Sequence, residues 1–215
     1  MKLLSVNVGL PREIEWRGKI VRTSIFKSPV SGQVRVAQLN LEGDRQSDLS
    51  VHGGIDKAVY AYPSEHYPFW RQELPGIDLP SGAFGENFTT EGLLEKTVRI
   101  GDSVRIGSAE FVVTQPRMPC FKLGIRFNLP DIVKRFLQSG RTGFYFAVLR
   151  EGEVTAGDSI EFVKQDEHAV TIADIVSLYG RDATNQDLLH RVSELPSLPK
   201  SWQDYFRTRL WNPDD

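Results

Sequence analysis

Up to Val163 the chain is a succession of short β-branched or aromatic runs broken by turn residues; beyond it the pattern changes. IVRTSIF (20–26), GQVRVAQL (32–39), TVRIGDSVRIG (97–107), AEFVVTQ (109–115), GFYFAVLR (143–150) and EVTAGDSIEFV (153–163) have the composition and length of strands. Two of them share one phrase, Gly101-Asp102-Ser103-Val104 and Gly157-Asp158-Ser159-Ile160, each read as a turn that feeds a strand. Many short strands with glycine corners favour a barrel or a folded sheet over a doubly wound fold. The fold class expected is mainly β: a β-barrel core with a few inserted helices and a small C-terminal α-helical domain.

Two helices are expected inside the β region, PSEHYPFWRQEL (63–74) and LPDIVKRFLQSG (129–140), the second with Pro130 in its first turn and Gly140 as its stop. After Val163 come three pairs with a hydroxyl three residues before a carboxylate: Thr171 and Asp174, Thr184 and Asp187, Ser201 and Asp204. Each resembles a capping box followed by helical spacing. The division expected is residues 1–164 for the β domain and 165–215 for a three-helix domain too small to stand alone.

With 26 basic and 28 acidic residues, a net charge of −2, no global field draws the chain to nucleic acid or membrane. The opening MKLLSVNVGLPREIEW has an apolar run too short for a signal peptide, and no stretch approaches a membrane span. The chain's one cysteine excludes an internal disulfide and any multi-thiolate zinc or iron–sulfur site. A cytoplasmic location is expected. No residue pattern indicates an oligomeric state.

Candidate chemistry falls in four places. In QPRMPCFKL (115–123), Cys120 stands between Arg117 and Lys122, and flanking cations favour thiolate, the form that binds metals or attacks electrophiles. Pro116 and Pro119 argue for an irregular loop there. The alternative is a small buried core residue. EGDRQSDLSVHGGIDKAVYAY (42–62) holds His52, Gly53 and Gly54, which let a backbone approach a ligand closely, and then Lys57; it could equally be a solvated loop. Lys27 interrupts the apolar run SIFKSPVSG, facing solvent or an anion. Asn87 sits in the turn Gly85-Glu86-Asn87, where its amide either completes the turn or meets a heterocycle. No GxxxxGK[ST], GxGxxG, HExxH or GxSxG is present.

Together, GDRQSDLSVHGGIDKAVYAYPSEHY, FGENFTTEGL and VRIGDSVRIGSAEFVVTQPRMPCFKL, in that order, resemble the MOSC domain, named for the C-terminal domain of molybdenum cofactor sulfurases. The closing helices resemble the appendage of its bacterial YiiM-like branch, molybdenum enzymes that reduce N-hydroxylated bases such as hydroxylaminopurine. The resemblance implies a molybdenum–molybdopterin cofactor with Cys120 as metal ligand and catalytic residue. It further implies Lys27, Arg117, Asn87, Lys57 and Lys122 as cofactor contacts. His52, Gly53 and Gly54 match the family's HGG and are expected to line the cofactor cleft. His52 is also expected to donate a proton during N–O cleavage.

The reaction implied is oxygen removal from a small N-hydroxylated substrate, the metal being re-reduced by two electrons. With one cysteine and no nucleotide motif, the chain would need a separate electron-donor protein carrying a flavin or an iron–sulfur cluster. Two other readings stand beside this one. Cys120 could carry persulfide sulfur or hold the cofactor for delivery, without turnover. It could also be a hydrolytic nucleophile with His52 as its base.

Overall fold

The computed structural model describes residues 1–47, 53–180 and 184–210. Among the described residues twelve strands form: β1 (Lys2–Val8), β2 (Arg12–Trp16), β3 (Lys19–Thr23), β4 (Ser28–Pro29), β5 (Val34–Val36), β6 (Val59–Pro63), β7 (Phe88–Glu91), β8 (Ser103–Ile106), β9 (Ala109–Pro116), β10 (Phe144–Arg150), β11 (Gly152–Val154) and β12 (Ile160–Lys164). Eight of them make one sheet in the order β12-β8-β9-β10-β6-β7-β1-β4. The pairs β5–β11 and β2–β3 stand as separate two-stranded ribbons.

The fold is mostly sheet, as expected, but this sheet does not close as a barrel. Its edges are β12 and β4, and β4 is two residues ending in proline, which cannot donate to a further ladder. The sheet curls far enough for β1 to meet the turn before β12, where Leu3 exchanges hydrogen bonds with Asp158 and Gly157 at 2.9 and 2.7 Å. An isolated bridge joins Lys2 to Ser159, and no continuous ladder follows it.

The two Gly-Asp-Ser phrases do the same work. Gly101 and Gly157 take φ values of 90° and 102°, accessible to glycine at little cost. Asp102 accepts from Arg99 N at 2.9 Å and Asp158 from Thr155 N at 2.8 Å, each carboxylate closing its own turn. The strands they feed, β8 and β12, pair with each other.

β6, with five buried residues, lies within the sheet and alternates between two cores. Val59 and Ala61 join the larger aliphatic core on one face. Tyr60 and Tyr62 face a second core of aromatics with Trp70, Phe84 and Phe136. That period of two is what a strand buried on both faces requires. The second core is built by three helices, α1 (Tyr67–Glu73), α2 (Phe121–Phe127) and α3 (Ile132–Ser139).

The closing helices are α4 (Ile172–Gly180), α5 (Gln186–Ser193) and α6 (Lys200–Arg207). They form no core of their own: Ile172, Ile175, Leu178, Leu189, Val192 and Phe206 belong to the same cluster as the sheet's Phe111 and Phe146. Only the first expected capping box forms. Thr171 N donates to Asp174 Oδ2 at 2.8 Å, and Asp174 N returns a bond to Thr171 Oγ1 at 3.1 Å. In α5 the cap is Asn185, one residue past Thr184, accepting from Leu188 N at 3.1 Å. In α6 the cap is Pro199, whose fixed φ starts the helix before Ser201, and Asp204 pairs with Lys200 at 2.5 Å. Among the described residues no helix is long and apolar enough to cross a membrane.

Candidate functional site

A cavity of about 100 Å³ opens where β6 and β10 meet the segment after β3 and the loop between β9 and α2. Tyr60 and Tyr145, opposite each other in the β6–β10 ladder, form part of its wall with ring centroids 5.4 Å apart. Lys27, Lys57, Arg117 and Lys122 bring positive charge to it, against the carboxylate of Asp44. Cys120 lines the same space.

The loop is shaped by its prolines and by the helix that follows. β9 ends at Pro116, Arg117 N donates to Gly143 O at 3.2 Å, and Cys120 adopts an extended φ of −121° as the N-cap of α2. Its carbonyl accepts from Leu123 N at 2.9 Å, so the cysteine is anchored by the helix it starts. The irregular stretch expected around Cys120 is therefore short, and α2 follows at once.

Arg117 is buried, its guanidinium 5.4 Å from the Tyr60 ring and 5.2 Å from that of Phe136. Its Nη1 has no hydrogen-bond partner among the described residues. A buried donor left in that state costs free energy unless a ligand or solvent completes it. Burial raises the Tyr60 and Tyr145 hydroxyls above the ordinary phenol range, with Arg117 opposing, so both stay protonated.

Lys27 is differently placed. Its Nζ lies 2.5 Å from Asp44 Oδ1, with both side chains almost wholly buried. Burial pulls the ammonium below its usual range, with Asp44 opposing that shift. Asp44 is held in turn by Gly9 N at 2.8 Å and Asn87 Nδ2 at 2.9 Å. The Asn87 amide is thereby engaged by protein: Nδ2 also donates to Asn7 O at 3.3 Å, and Oδ1 accepts from Tyr60 N at 3.1 Å. Asn87 reaches the cavity wall as a brace for Asp44.

Beside this sits Glu86, fully buried, accepting from Tyr67 Oη, from Gly82 N and Thr89 Oγ1 at 2.8 and 3.0 Å, and from Phe84 N at 3.0 Å. Burial nonetheless raises its carboxyl above the ordinary range. Lys122 Nζ donates to Ser47 Oγ at 3.0 Å. Lys57 closes a short 3₁₀ turn, Ile55–Lys57, and burial lowers its ammonium, with Asp56 opposing.

A family model described as the MOSC domain matches residues 48–161, and one described as the YiiM-like 3-alpha helix domain matches residues 170–211. The uncharacterized protein YflK of Bacillus subtilis is 42% identical over 204 residues, 95% of this chain and 92% of that protein. The crystal structure of YiiM from Geobacillus stearothermophilus has a TM-score of 0.82 at 36% identity, covering 98% of this chain and 99% of that one. A protein named Reductase from Gibberella moniliformis is 33% identical over 197 residues, 90% of this chain but 35% of its own length. The chain belongs to the MOSC family, in its YiiM-like branch.

Of the residues singled out for their MOSC-like motifs, Cys120, Arg117, Lys122, Lys27, Lys57 and Asn87 meet at one cavity. Gly53 and Gly54 stand outside its wall; Gly54, at φ 98°, caps the turn that carries Lys57. His52 lies outside the described residues. The MOSC motifs did not single out Asp44, Tyr60 or Tyr145. Asp44 is one acidic residue in a polar loop, and nothing local marks it as the partner of Lys27. The tyrosines carry a signal only in hindsight: in AVYAY and GFYFAV they fall on one side of the two-residue alternation.

Proposed function

We propose that this MOSC protein is a molybdenum-cofactor-dependent reductase that removes oxygen from N-hydroxylated compounds, hydroxylaminopurine-type bases among them. The observation that carries the proposal is the convergence, in one cavity, of Cys120 with Arg117, whose buried Nη1 has no protein partner among the described residues. The donor set fits the molybdenum–molybdopterin group: one soft sulfur for a redox metal, and guanidinium and ammonium groups for an anionic pterin phosphate. The likeness to a fungal protein named Reductase supports an oxidoreductase.

Cys120 is assigned as the metal ligand. Arg117, Lys122 and Lys57 are assigned to the anionic groups of the cofactor. Lys27, neutralised by Asp44, fixes the floor of the site with Asn87. Tyr60 and Tyr145, held protonated, form a wall that supplies no charge of its own. When bound, the cofactor supplies the two-electron chemistry of N–O cleavage. The net reaction takes R–NHOH, two electrons and two protons to R–NH₂ and water, with His52 as the assigned proton donor. The electrons come from a separate donor protein with a flavin or an iron–sulfur cluster, since one cysteine cannot hold a cluster of its own.

The test is molybdenum per chain, for wild type and Cys120→Ser, purified from a host that makes molybdopterin. Near-stoichiometric metal in the wild type, lost in the variant, together with catalytic loss of hydroxylaminopurine when a reducing partner is present, is the expected result. No metal in either folded protein, with a stable persulfide mass on Cys120, would replace the reductase with a sulfur carrier.

A further inference from the structure

Outside the cavity wall, two arginines converge on one aromatic ring. The guanidinium carbon of Arg12, on β2, lies 3.5 Å from the Phe26 ring centroid, and that of Arg126, on α2, lies 5.4 Å from the same centroid. Arg12 is exposed on the β2–β3 ribbon; Arg126 is half-buried and also stacks on Phe127 at 5.8 Å. Neither guanidinium has an ion pair or a hydrogen bond among the described residues, and Arg126 Nε is buried without a partner. Burial and the neighbouring charge of Arg12 both lower Arg126 below the ordinary guanidinium range, while Glu86, Tyr67 and Asp78 oppose the shift from a distance.

Two like charges that share a ring, one with a buried donor facing no acceptor, form an arrangement that an external anion stabilises. The place is also specific. Phe26 stands between Ile25 and Lys27, both on the cavity wall, and Arg12 is the register partner of Thr23, which lines it too. Arg126 follows Cys120 by six positions, about 9 Å along α2 at 1.5 Å per residue.

We propose that Arg12 and Arg126 form a second anion site, at the rim of the cavity, for the phosphate dianion of a small molecule. Its charge matches two guanidiniums, and its tetrahedral oxygens accept from two planar forks at once. A carboxylate would neutralise only one of them. The placement at the rim points to the phosphate of the substrate, so that N-hydroxylated bases are taken as nucleotides. That second clause rests on the proposed reductase activity; the site itself does not.

The experiment measures inorganic phosphate binding to the full chain by calorimetry, with peptide-resolved protection of arginines from phenylglyoxal. Arg12→Gln and Arg126→Gln are each expected to weaken binding about tenfold or more, a loss of about 1.4 kcal/mol. Arg126→Lys, which keeps the charge and stem if the glutamine variant fails to fold, is expected to lose the fork and part of the affinity. Arg117→Gln should leave this site intact, and phosphate should protect Arg12 and Arg126 in that variant. Binding unchanged in Arg12→Gln and Arg126→Lys, or protection confined to Arg117, overturns the proposal. With the active enzyme, a KM raised for an N-hydroxylated nucleotide and not for its nucleoside in Arg12→Gln identifies the phosphate as the substrate's. Equal effects on both would identify a separate phosphate ligand of the same site.

Discussion

Replacing Asp44 by asparagine removes the countercharge of a lysine that is almost wholly buried at the cavity wall. Lys27 and Asp44 retain 8% and 2% side-chain exposure, with Nζ and Oδ1 2.5 Å apart. Breaking such a pair from one side costs about 3–5 kcal/mol, because the remaining charge is buried and uncompensated. The amide introduced by Asp44→Asn would also turn a donor toward Asn87 Nδ2, which now donates to Asp44 Oδ2 at 2.9 Å. For a chain of this size that amounts to a fall in Tm of roughly 6–20 °C. Urea unfolding of the full chain, followed by tryptophan fluorescence and far-UV circular dichroism, measures the loss.

The double variant Lys27→Met/Asp44→Asn removes both charges and should regain most of the roughly 3–5 kcal/mol lost in Asp44→Asn. The pH dependence has a definite sign. Lys27 is already lowered in the folded protein, so the folded state binds fewer protons than the unfolded chain between that value and the usual 10.5. Stability therefore rises with pH across this window. In Asp44→Asn the lysine is lowered further, the window extends downward, and the deficit against wild type narrows as pH increases. A loss below about 1 kcal/mol, or no recovery in the double variant, would refute the buried-pair reasoning.

Trp202→Phe removes the indole donor to Gln115 Oε1, now at 2.6 Å. Leaving that acceptor unmade costs about 1–3 kcal/mol. Gln115 Nε2 and Thr114 Oγ1 both hold the Asp56 carbonyl, so amide hydrogen exchange in the peptide spanning 54–60 should quicken; unchanged exchange would sever α6 from the Lys57 turn. Glu86 is raised in the folded state, so its contribution to stability is present below the ordinary carboxyl range and is lost as pH rises through the raised value. Glu86→Gln should flatten that fall in a urea series across acid to neutral pH, and an unaltered slope would count against it. Gly143→Ala drives a Cβ into Ala61 O at a φ of +62°, and should cost about 2–5 kcal/mol in the same assay.

Much of the secondary structure was legible because local chemistry decides it. GFYFAVLR becomes β10, and both Gly-Asp-Ser phrases form carboxylate-closed turns. The capping boxes show where this stops. Thr171 and Asp174 have no nearer partner and make their box, whereas Asp204 has Lys200 one turn away and Pro199 already begins α6. A motif with a local competitor is settled by geometry that the spacing does not contain. The expected barrel met a similar limit, since closure depends on how far the sheet curls and on whether the two-residue β4 can be extended.

The helical segment depends on tertiary structure most of all. Each fully buried apolar side chain is worth roughly 1.5–3 kcal/mol, and α4 to α6 place several in the core of the sheet. Deleting these helices would expose the sheet residues they pack against, so lost activity in a truncated chain would report on folding before it reports on any role at the site.

By itself the sequence determined the β-rich region, the three closing helices and the family motifs, with one thiol between two cations, because these follow from neighbours along the chain. Only the tertiary structure decided that Lys27 is neutralised by a residue seventeen positions away and that the Asn87 amide is engaged by protein. It alone left Arg117 Nη1 without a protein partner among the described residues and brought Arg126 to the ring that Arg12 covers. Whether a charge is available to a ligand depends on what else is buried within a few ångströms of it, and the folded chain sets those distances.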